Sequence, residues 1–473
     1  MPDFRGKHIH FTGVGGASMS ALAEYAALSG AAVSGSDRTQ SETLDRLARA
    51  GIKVYAGVNE DIIGEADLVV RSSAVPLSNP EITRAETLGI PVVERHEFLA
   101  RVAEDFERVV AVAGTHGKTT VTAMIAHILK SAGVPFVAHI GGEPVGMGNL
   151  TVFGGDGRLP RGIFLTEACE YRRHLLALVP DVAVVTNMEC DHPDCYPDIR
   201  EVYSVFAKFV EKCPHTVVET KNAFICTGAH TNICADVHNA KREYSGGDTV
   251  ARGAESFVGA GHDVCTYSVS RILECSTRQT AVVCKDGREC VLSLPAAGSH
   301  LLADALFAVA AVGELGVDFC VACNALGDFK GVKRRFEKVG EAEGAQVVFD
   351  YAHHPTEIAC TLEAARAYGR PLVVFQPHTF TRTARYLEDF AAVLGKEERV
   401  ILMPTYAARE MPEERADSAV LAREIKDKYP FCGVYLAKDA DETLDYVKLF
   451  AGEFDIVLFL GAGDIYNLKR FFV

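Results

Sequence analysis

The sequence predicts an α/β protein of three domains, and three observations carry that expectation. From residue 7 onward, short β-branched runs alternate with amphipathic stretches, the pattern of βαβ units and a parallel sheet. Two glycine turns, Gly13-Val14-Gly15-Gly16 and Gly114-Thr115-His116-Gly117, each follow an apolar run and precede a helical one. The chain is 473 residues long, enough for about three domains of ordinary size, each with its own core.

Composition narrows the function classes. Apolar residues make up 48% of the chain, yet no segment approaches the roughly 18 uninterrupted apolar residues of a membrane helix. A net charge of −15 argues against a nucleic-acid partner, which would need basic patches for phosphates. Met1 to Lys7 lead into a strand without the apolar core of a signal peptide, so a cytoplasmic protein is expected. The 14 cysteines are spread singly and read as free thiols. Cys320-Val321-Ala322-Cys323 lies on a helical pattern, and no second pair completes a zinc set, so a structural role is expected.

In the first third, the runs His8 to Phe11, Ala32 to Ser34, Lys53 to Tyr55, Leu68 to Val70 and Pro91 to Val93 read as strands. The turn after the first is close to G-x-G-x-x-G, with Ser18 in the third glycine's place. Such a turn brings backbone N–H groups and a helix N-terminus to a diphosphate, and a UDP-sugar suits it as well as a dinucleotide. Gly13, Gly15 and Gly16 are candidates for that contact. Ser36, Asp37 and Ser73 fall at carboxyl ends of strands, where open sheets bind ligands; a cap or turn role is the alternative for each. Arg95 to Arg108 reads as a helix and connector, so this domain spans residues 1–106.

The second domain, residues 107–328, opens on a phosphate loop. Gly114, Thr115, His116 and Gly117 present their backbone to an anion, Lys118 adds a point charge, and Thr119 and Thr120 begin the helix. ATP is the expected guest, the Thr119 hydroxyl being suited to Mg²⁺. Val112 stands where the longer loop has glycine, so this loop is a shortened one. Ile163 to Thr166 delivers Glu167, and Asp181 to Thr186 delivers Asn187, Glu189, Asp191 and His192. If these strands flank the loop strand, Thr119, Glu167 and His192 form an Mg²⁺ site. The glycine-rich stretch from His139 to Asn149 fits a substrate channel or a loop. Residues 213–295 show little beyond a strand around Ala281 to Cys284.

Gly327 to Gly331 reads as a hinge into a third domain, residues 329–473. Arg334-Arg335-Phe336 precedes a strand ending in Asp350, an arrangement suited to closing over ATP, with Arg335 on the γ-phosphate and Asp350 on the ribose. His353-His354-Pro355 and Gln376 to Arg382 follow strand ends.

Taken together, Gly114 to Thr119, Glu167-Ala168-Cys169-Glu170-Tyr171, Asn187 to His192, Arg334-Arg335-Phe336 and Asp350 to Glu357 resemble the Mur ligases of peptidoglycan synthesis. The resemblance runs from about residue 7 to the C-terminus and is weakest across 213–295. It implies a Rossmann-like N-terminal domain for a UDP-sugar, a central P-loop-type ATP-binding domain and a Rossmann-like C-terminal domain for an amino acid. It also implies a reaction: ATP-dependent joining of L-alanine to the carboxylate of UDP-N-acetylmuramate through an acyl phosphate, with Mg²⁺, by a monomer or homodimer. On the same resemblance Lys118, Glu167, His192 and Arg335 are catalytic, His300 belongs to the ATP site, and His353, His354, His378 and Arg382 bind the amino acid. The family's His-Asn-x-x-Asn-Ala stands here as His300-Leu301-Leu302-Ala303-Asp304-Ala305, and Leu301 lacks the amide that recognises adenine. Two alternatives are a ligase that adds a preformed murein tripeptide to the same nucleotide and a nucleotide-binding homologue impaired in catalysis.

Overall fold

The computed structural model describes residues 4–155, 157–192, 195–226, 231–236, 241–242, 264–408, 410–411 and 416–473. Three sheets follow one another along the chain, so the α/β expectation holds. The first is all parallel, in the order Lys53–Ala56, Ala32–Asp37, His8–Thr12, Leu68–Arg71, Val92–Glu94. The chain runs outward in one direction from His8–Thr12 and then crosses to its other side, which leaves a crevice at the carboxyl ends of the central strands. Helix Ala17–Leu28 starts there, and Gly13–Gly16 forms the turn. The Phe98 ring meets Phe11 of the central strand edge-on and packs at a tilt against Phe4.

The second sheet is the largest. Its parallel centre runs Thr231–Asp236, His215–Val218, Val182–Val185, Arg108–Ala113, Ile163–Glu167, Phe136–His139. Leu150–Phe153 closes one edge antiparallel; on the other, Val264–Cys275, Gln279–Lys285 and Arg288–Leu294 form two antiparallel hairpin pairings. Strand Arg108–Ala113 is buried from Val109 onward, as a parallel strand covered on both faces must be. Helices Lys118–Ser131 and Ser299–Glu314 pack together on one face. The second is nearly continuous Ala, Val, Leu and Phe, and buries almost every residue from Leu302 to Val312, which its all-round apolar sequence requires.

The third sheet has the order Glu337–Ala342, Ala345–Asp350, Ile456–Leu460, Pro371–Phe375, Arg399–Leu402, Gly433–Leu436, parallel apart from the first hairpin. Pro371–Phe375 and Ile456–Leu460 are buried throughout. No helix among the described residues is long and apolar enough to cross a membrane. Cys323 is buried in helix Phe319–Ala325, and the twelve cysteines whose side chains are described are free thiols.

Candidate active site

The loop strand lies between Ile163–Glu167 and Val182–Val185, so three carboxyl ends converge. Gly114 (φ 136°) passes so close to the next strand end that a Cβ there would stand 2.0 Å from Thr186 Oγ1. Gly117 caps helix Lys118–Ser131 with φ 82°, a left-handed conformation that glycine adopts without penalty. The Thr186 hydroxyl donates to the His116 carbonyl at 2.5 Å. Asn187 clamps the same residue twice, accepting from its N–H at 2.8 Å and donating to its carbonyl at 3.1 Å. Thr115 and Glu189 close the loop's other side, the Glu189 N–H donating to Thr115 Oγ1 at 2.9 Å. The loop is thus fixed by its neighbours before any ligand arrives.

Lys118 curls back over this loop. Its ammonium donates to the carbonyls of Gly114 and Thr115 and pairs with Glu170 at 2.9 Å. Burial alone would lower the ammonium's pKa; Glu170, with Cys169 and Glu167 beside it, outweighs that and holds the pKa above its ordinary value. Glu170 is itself 5% exposed; burial would raise its pKa, but Lys118 and His192 pull it down. His192 lies with Nε2 3.6 Å from Glu170 and 3.8 Å from Asp191. Thr119 donates to Glu167 Oε2 at 3.1 Å, and the Gly141 N–H donates to Oε1 at 2.6 Å. Burial raises the Glu167 pKa despite these donors and Lys118. A half-buried carboxylate with a hydroxyl beside it is an oxygen donor set suited to a hard cation.

The third domain supplies the opposite wall. Asp350 accepts from the N–H groups of Phe336 and Ala352, both at 2.7 Å, which fixes the segment carrying Arg335. The Arg335 guanidinium lies 5.0 Å from the Tyr351 ring centre and 3.9 Å from Glu357. Glu357 reaches across to the loop: His116 Nδ1 lies 3.1 Å from its Oε1, and His116 Nε2 lies 3.5 Å from Glu189. Burial opposes charge on His116, but these two carboxylates lift its pKa to about 9. A second bridge joins Arg382 to Asp191 at 3.0 and 3.2 Å. Both residues are buried, and against the cost of burial Arg382 drives the Asp191 carboxyl well below its usual range.

Of the residues expected at the amino-acid site, the structure gathers His353, His378 and Arg382. The two imidazole centres are 5.4 Å apart, and Arg382 donates to His378 Nδ1 at 3.1 Å. Burial pushes the pKa of His353 down to about 3 and that of His378 to about 4, so both rings are neutral at pH 7. Arg382 Nε is buried without a partner. His354 turns the other way: it caps helix Pro355–Arg366 and lies 5.0 Å from the His116 ring. His300 sits at the start of helix Ser299–Glu314, its Nδ1 buried and unpartnered, and burial followed by Arg335 lowers its pKa to about 4. One turn on, Asp304 lies beneath the loop, where a Cβ on Gly117 would stand 2.7 Å from its Oδ1. Burial pushes its pKa up to about 8, so at pH 7 the carboxyl keeps its proton and offers one donor and one acceptor, as an asparagine amide does.

In the first domain Gly13, Gly15 and Gly16 form the expected turn, and Asp37 meets it: the Gly15 N–H donates to Asp37 Oδ2 at 2.8 Å. Ser36 does not face the crevice. It is 3% exposed and donates to Glu81 at 2.7 Å, since its strand position points into the sheet's covered side. Ser73 lies half-buried in the loop after Leu68–Arg71. Ser18 bridges domains: its hydroxyl meets His139 Nε2 at 2.9 Å and accepts from Arg95 at 3.1 Å. Asn149 of the glycine-rich stretch donates to the Ala17 carbonyl and to Ser20, so this stretch docks the first domain. A cavity of about 1090 Å³ separates the outer domains, lined by Ser41, Thr43, Lys333, Tyr406 and Lys469 among others.

Sequence reasoning left Glu170, Asp191, Asn187 and Glu357 without roles, although each falls within a motif already singled out. The available signal was their position, two to seven residues past a strand end.

A short phosphate loop, a lysine locked to a carboxylate and a third domain pairing across the loop define a nucleotide-dependent α/β enzyme whose site is assembled between domains. Comparison with known proteins gives the family. The model described as Mur ligase family, catalytic domain, matches residues 8–107; that of the Mur ligase middle domain matches 112–312; that of the Mur ligase, glutamate ligase domain, matches 334–463. The UDP-N-acetylmuramate–L-alanine ligase of Rubrobacter xylanophilus is 37% identical over 467 residues, 97% of each chain. That of Acetivibrio thermocellus is 35% identical, covering 99% of this chain and 96% of its own. Among solved structures, the UDP-N-acetylmuramate-alanine ligase of Thermotoga maritima superposes with a TM-score of 0.78 at 26% identity, over 98% of both chains. A murein peptide ligase of Psychrobacter arcticus shares the fold, with a TM-score of 0.70 at 22% identity over 98% of both chains. The chain belongs to the Mur ligase family.

Proposed function

We propose that this chain joins L-alanine to the carboxylate of UDP-N-acetylmuramate, forming ADP and phosphate, in peptidoglycan precursor synthesis. The observation that carries the reading is the Lys118 loop with Thr119 and Glu167 3.1 Å apart beside it, within a chain alignable over 97% of its length with L-alanine ligases.

On this reading residues 1–106 hold the UDP-sugar, 107–328 bind ATP and 329–473 carry the amino acid. Gly13, Gly15, Gly16, Asp37 and Ser73 surround the sugar nucleotide, while Ser36 supports the strand end through Glu81. The loop from Gly114 to Thr120 takes the ATP phosphates, with His300 and Asp350 on the remainder of the nucleotide. Thr119 and Glu167 would hold Mg²⁺ through oxygen and His192 a second ion, and the bound metal would supply charge neutralisation on the phosphoryl oxygens. The γ-phosphoryl group passes to the sugar's carboxylate, giving an acyl phosphate and ADP. Lys118 and Arg335 meet the charge that develops. The L-alanine amine then attacks the acyl carbon, and phosphate leaves. Arg382 offers its free Nε–H to the amino acid's carboxylate, and the neutral His353 accepts from its amine, while His378, whose Nδ1 accepts from Arg382, holds that guanidinium in position. His354 supports the site through its contact with His116. The paired third domain excludes water from the acyl phosphate. The enzyme works in the cytoplasm, as a monomer or homodimer, on soluble substrates.

The test is phosphate release with ATP and Mg²⁺, omitting UDP-N-acetylmuramate or L-alanine in turn, and replacing L-alanine by the murein tripeptide. Release that needs both the sugar nucleotide and L-alanine is expected. Release that ignores both omissions would leave a plain ATPase, and a preference for the tripeptide would reassign the acceptor.

A further inference from the structure

The chain passes from the second domain to the third at a junction one residue wide. Up to Lys333 it is tied to the second domain: the Val145 N–H donates to the Gly331 carbonyl at 3.0 Å, and the Lys333 N–H to the Glu143 carbonyl at 2.9 Å. From Arg334 it is tied to the third. The Tyr351 N–H donates to the Arg334 carbonyl at 2.7 Å, and the Arg334 N–H donates to Glu337 Oε2 at 2.8 Å. The Arg334 guanidinium lies between the rings of Tyr351 and Tyr466, 4.7 and 4.8 Å from their centres, and donates to the Gly463 carbonyl at 3.3 Å, so cation–π attraction holds it from both sides.

Arg335 therefore stands between two left-handed residues, Arg334 (φ 62°) and Phe336 (φ 48°). That conformation is uncommon for side-chain-bearing residues and persists where the surroundings over-determine it. Here each is fixed by a carboxylate on its N–H, Glu337 at Arg334 and Asp350 at Phe336. Glu337 opens the strand Glu337–Ala342 and has three donors: besides the Arg334 N–H, Oε2 accepts from the Tyr466 hydroxyl at 2.9 Å, and Oε1 accepts from the Lys469 ammonium at 2.6 Å. Tyr466 and Lys469 lie on the C-terminal segment Asp464–Phe471. With both oxygens engaged, Glu337 supports its neighbours and is not free for substrate. Arg335 itself is held loosely, its guanidinium 5.0 Å from the Tyr351 ring centre and 3.9 Å from Glu357, so the backbone it leaves from sets its aim.

We propose that Glu337 is a positioning residue for Arg335. Together with Tyr466 and Lys469 it locks Arg334 to the third domain, so that Arg335 moves with that domain as one rigid piece and reaches the phosphate loop already aimed. The proposal rests on the reading of Arg335 as the group that meets the charge of the transferred phosphoryl.

The experiment is steady-state phosphate release by the whole protein with UDP-N-acetylmuramate, L-alanine, ATP and Mg²⁺, on Arg335→Ala, Glu337→Ala, Glu337→Gln and the double variant Arg335→Ala/Glu337→Ala. Arg335→Ala should lower kcat by about 10²–10³-fold. Glu337→Ala should lower kcat by about 10- to 100-fold through misplacement of the guanidinium, with KM for ATP and L-alanine little changed, because the lost interaction belongs to the transition state. Glu337→Gln keeps an oxygen for the Arg334 N–H and should recover most of that loss. The double variant should stay within about 2-fold of Arg335→Ala alone, since a residue that acts only through another adds nothing once that other is gone. ADP affinity measured by calorimetry should be unchanged in Glu337→Ala, which shows the phosphate loop intact. Should Glu337→Ala fail to fold, Arg334→Lys reads the same clamp from its other side: an ammonium cannot stack in plane between two rings, and a smaller loss of kcat at unchanged KM is expected. Near-wild-type kcat in Glu337→Ala or, in its place, Arg334→Lys, equal losses in Glu337→Ala and Glu337→Gln, or losses that multiply in the double variant would each overturn the proposal and leave the ligase reading standing. Normal turnover in Arg335→Ala would overturn the assignment of Arg335 and the proposal with it.

Discussion

The two glycine turns of this chain share one local design and differ in what surrounds them. Each follows a parallel strand, opens a helix and offers backbone N–H groups to an anion. At the first, the Gly15 N–H is already engaged by Asp37 from the adjacent strand, and Ser18 and Asn149 tie the helix start to the second domain. No lysine or arginine stands in that turn. At the second, Lys118 lies over the loop, Thr119 and Glu167 stand beside it, and His116 reaches Glu357 of the third domain. The first turn is furnished for docking and holding; the second collects charge from several strand ends and another domain. A strand–turn–helix is therefore only a cradle, and side chains far away in sequence decide what it does.

That contrast is broken or sharpened by four substitutions or conditions, beginning with the largest effect. Lys118→Ala is expected to lower phosphate release by at least about 10²-fold while leaving UDP-N-acetylmuramate affinity unchanged by calorimetry. Near-normal turnover would mean that the second turn is no more a phosphate site than the first. Asp191→Asn removes one partner of the buried bridge to Arg382, which costs the closed arrangement about 2–5 kcal/mol. A raised KM for L-alanine and a larger radius in X-ray scattering would register it, and an unchanged radius would show that other contacts hold the domains together.

A pH effect should follow from His116. Its pKa rises from 6.5 to about 9 when Glu357 and Glu189 close around it, so its contribution to closure is full below about pH 6.5 and is lost as pH rises through 9. Closure measured by scattering or by a fluorescent pair should weaken across that window, and Glu357→Gln should flatten the dependence. The smallest effect belongs to Ser18→Gly, which restores the third glycine of the fingerprint. Losing the hydrogen bonds to His139 and Arg95 is expected to cost about 1 kcal/mol, seen as a lower melting temperature with ATP affinity unchanged.

Glu167 and His192 were legible because a strand pattern followed by a polar residue marks a carboxyl end, and open parallel sheets collect such ends along one edge. The same reasoning reached Ser36 with a ligand role and a structural role both open; alternation along Ala32–Asp37 turns its side chain inward to Glu81, and no sequence signal told which face was covered. Residues 213–295 stayed obscure because Val264–Cys275 pairs through register shifts, which interrupt the period of two on which strand reading depends.

By itself the sequence determined the α/β class, the two turns, the shortened loop with Lys118 and Thr119, and the family to which these motifs point. These are local properties, set by periodicity, glycine and the residues within one turn of a strand end. Tertiary structure alone decided that Arg382 pairs with Asp191, 191 positions earlier, and that His116 meets Glu357, 241 positions later. It also decided that Asp304 beneath Gly117 keeps its proton, because burial without a full counter-charge disfavours the carboxylate. Pairings across domains and the protonation of buried groups depend on which surfaces meet, and that is set by the packing of whole sheets.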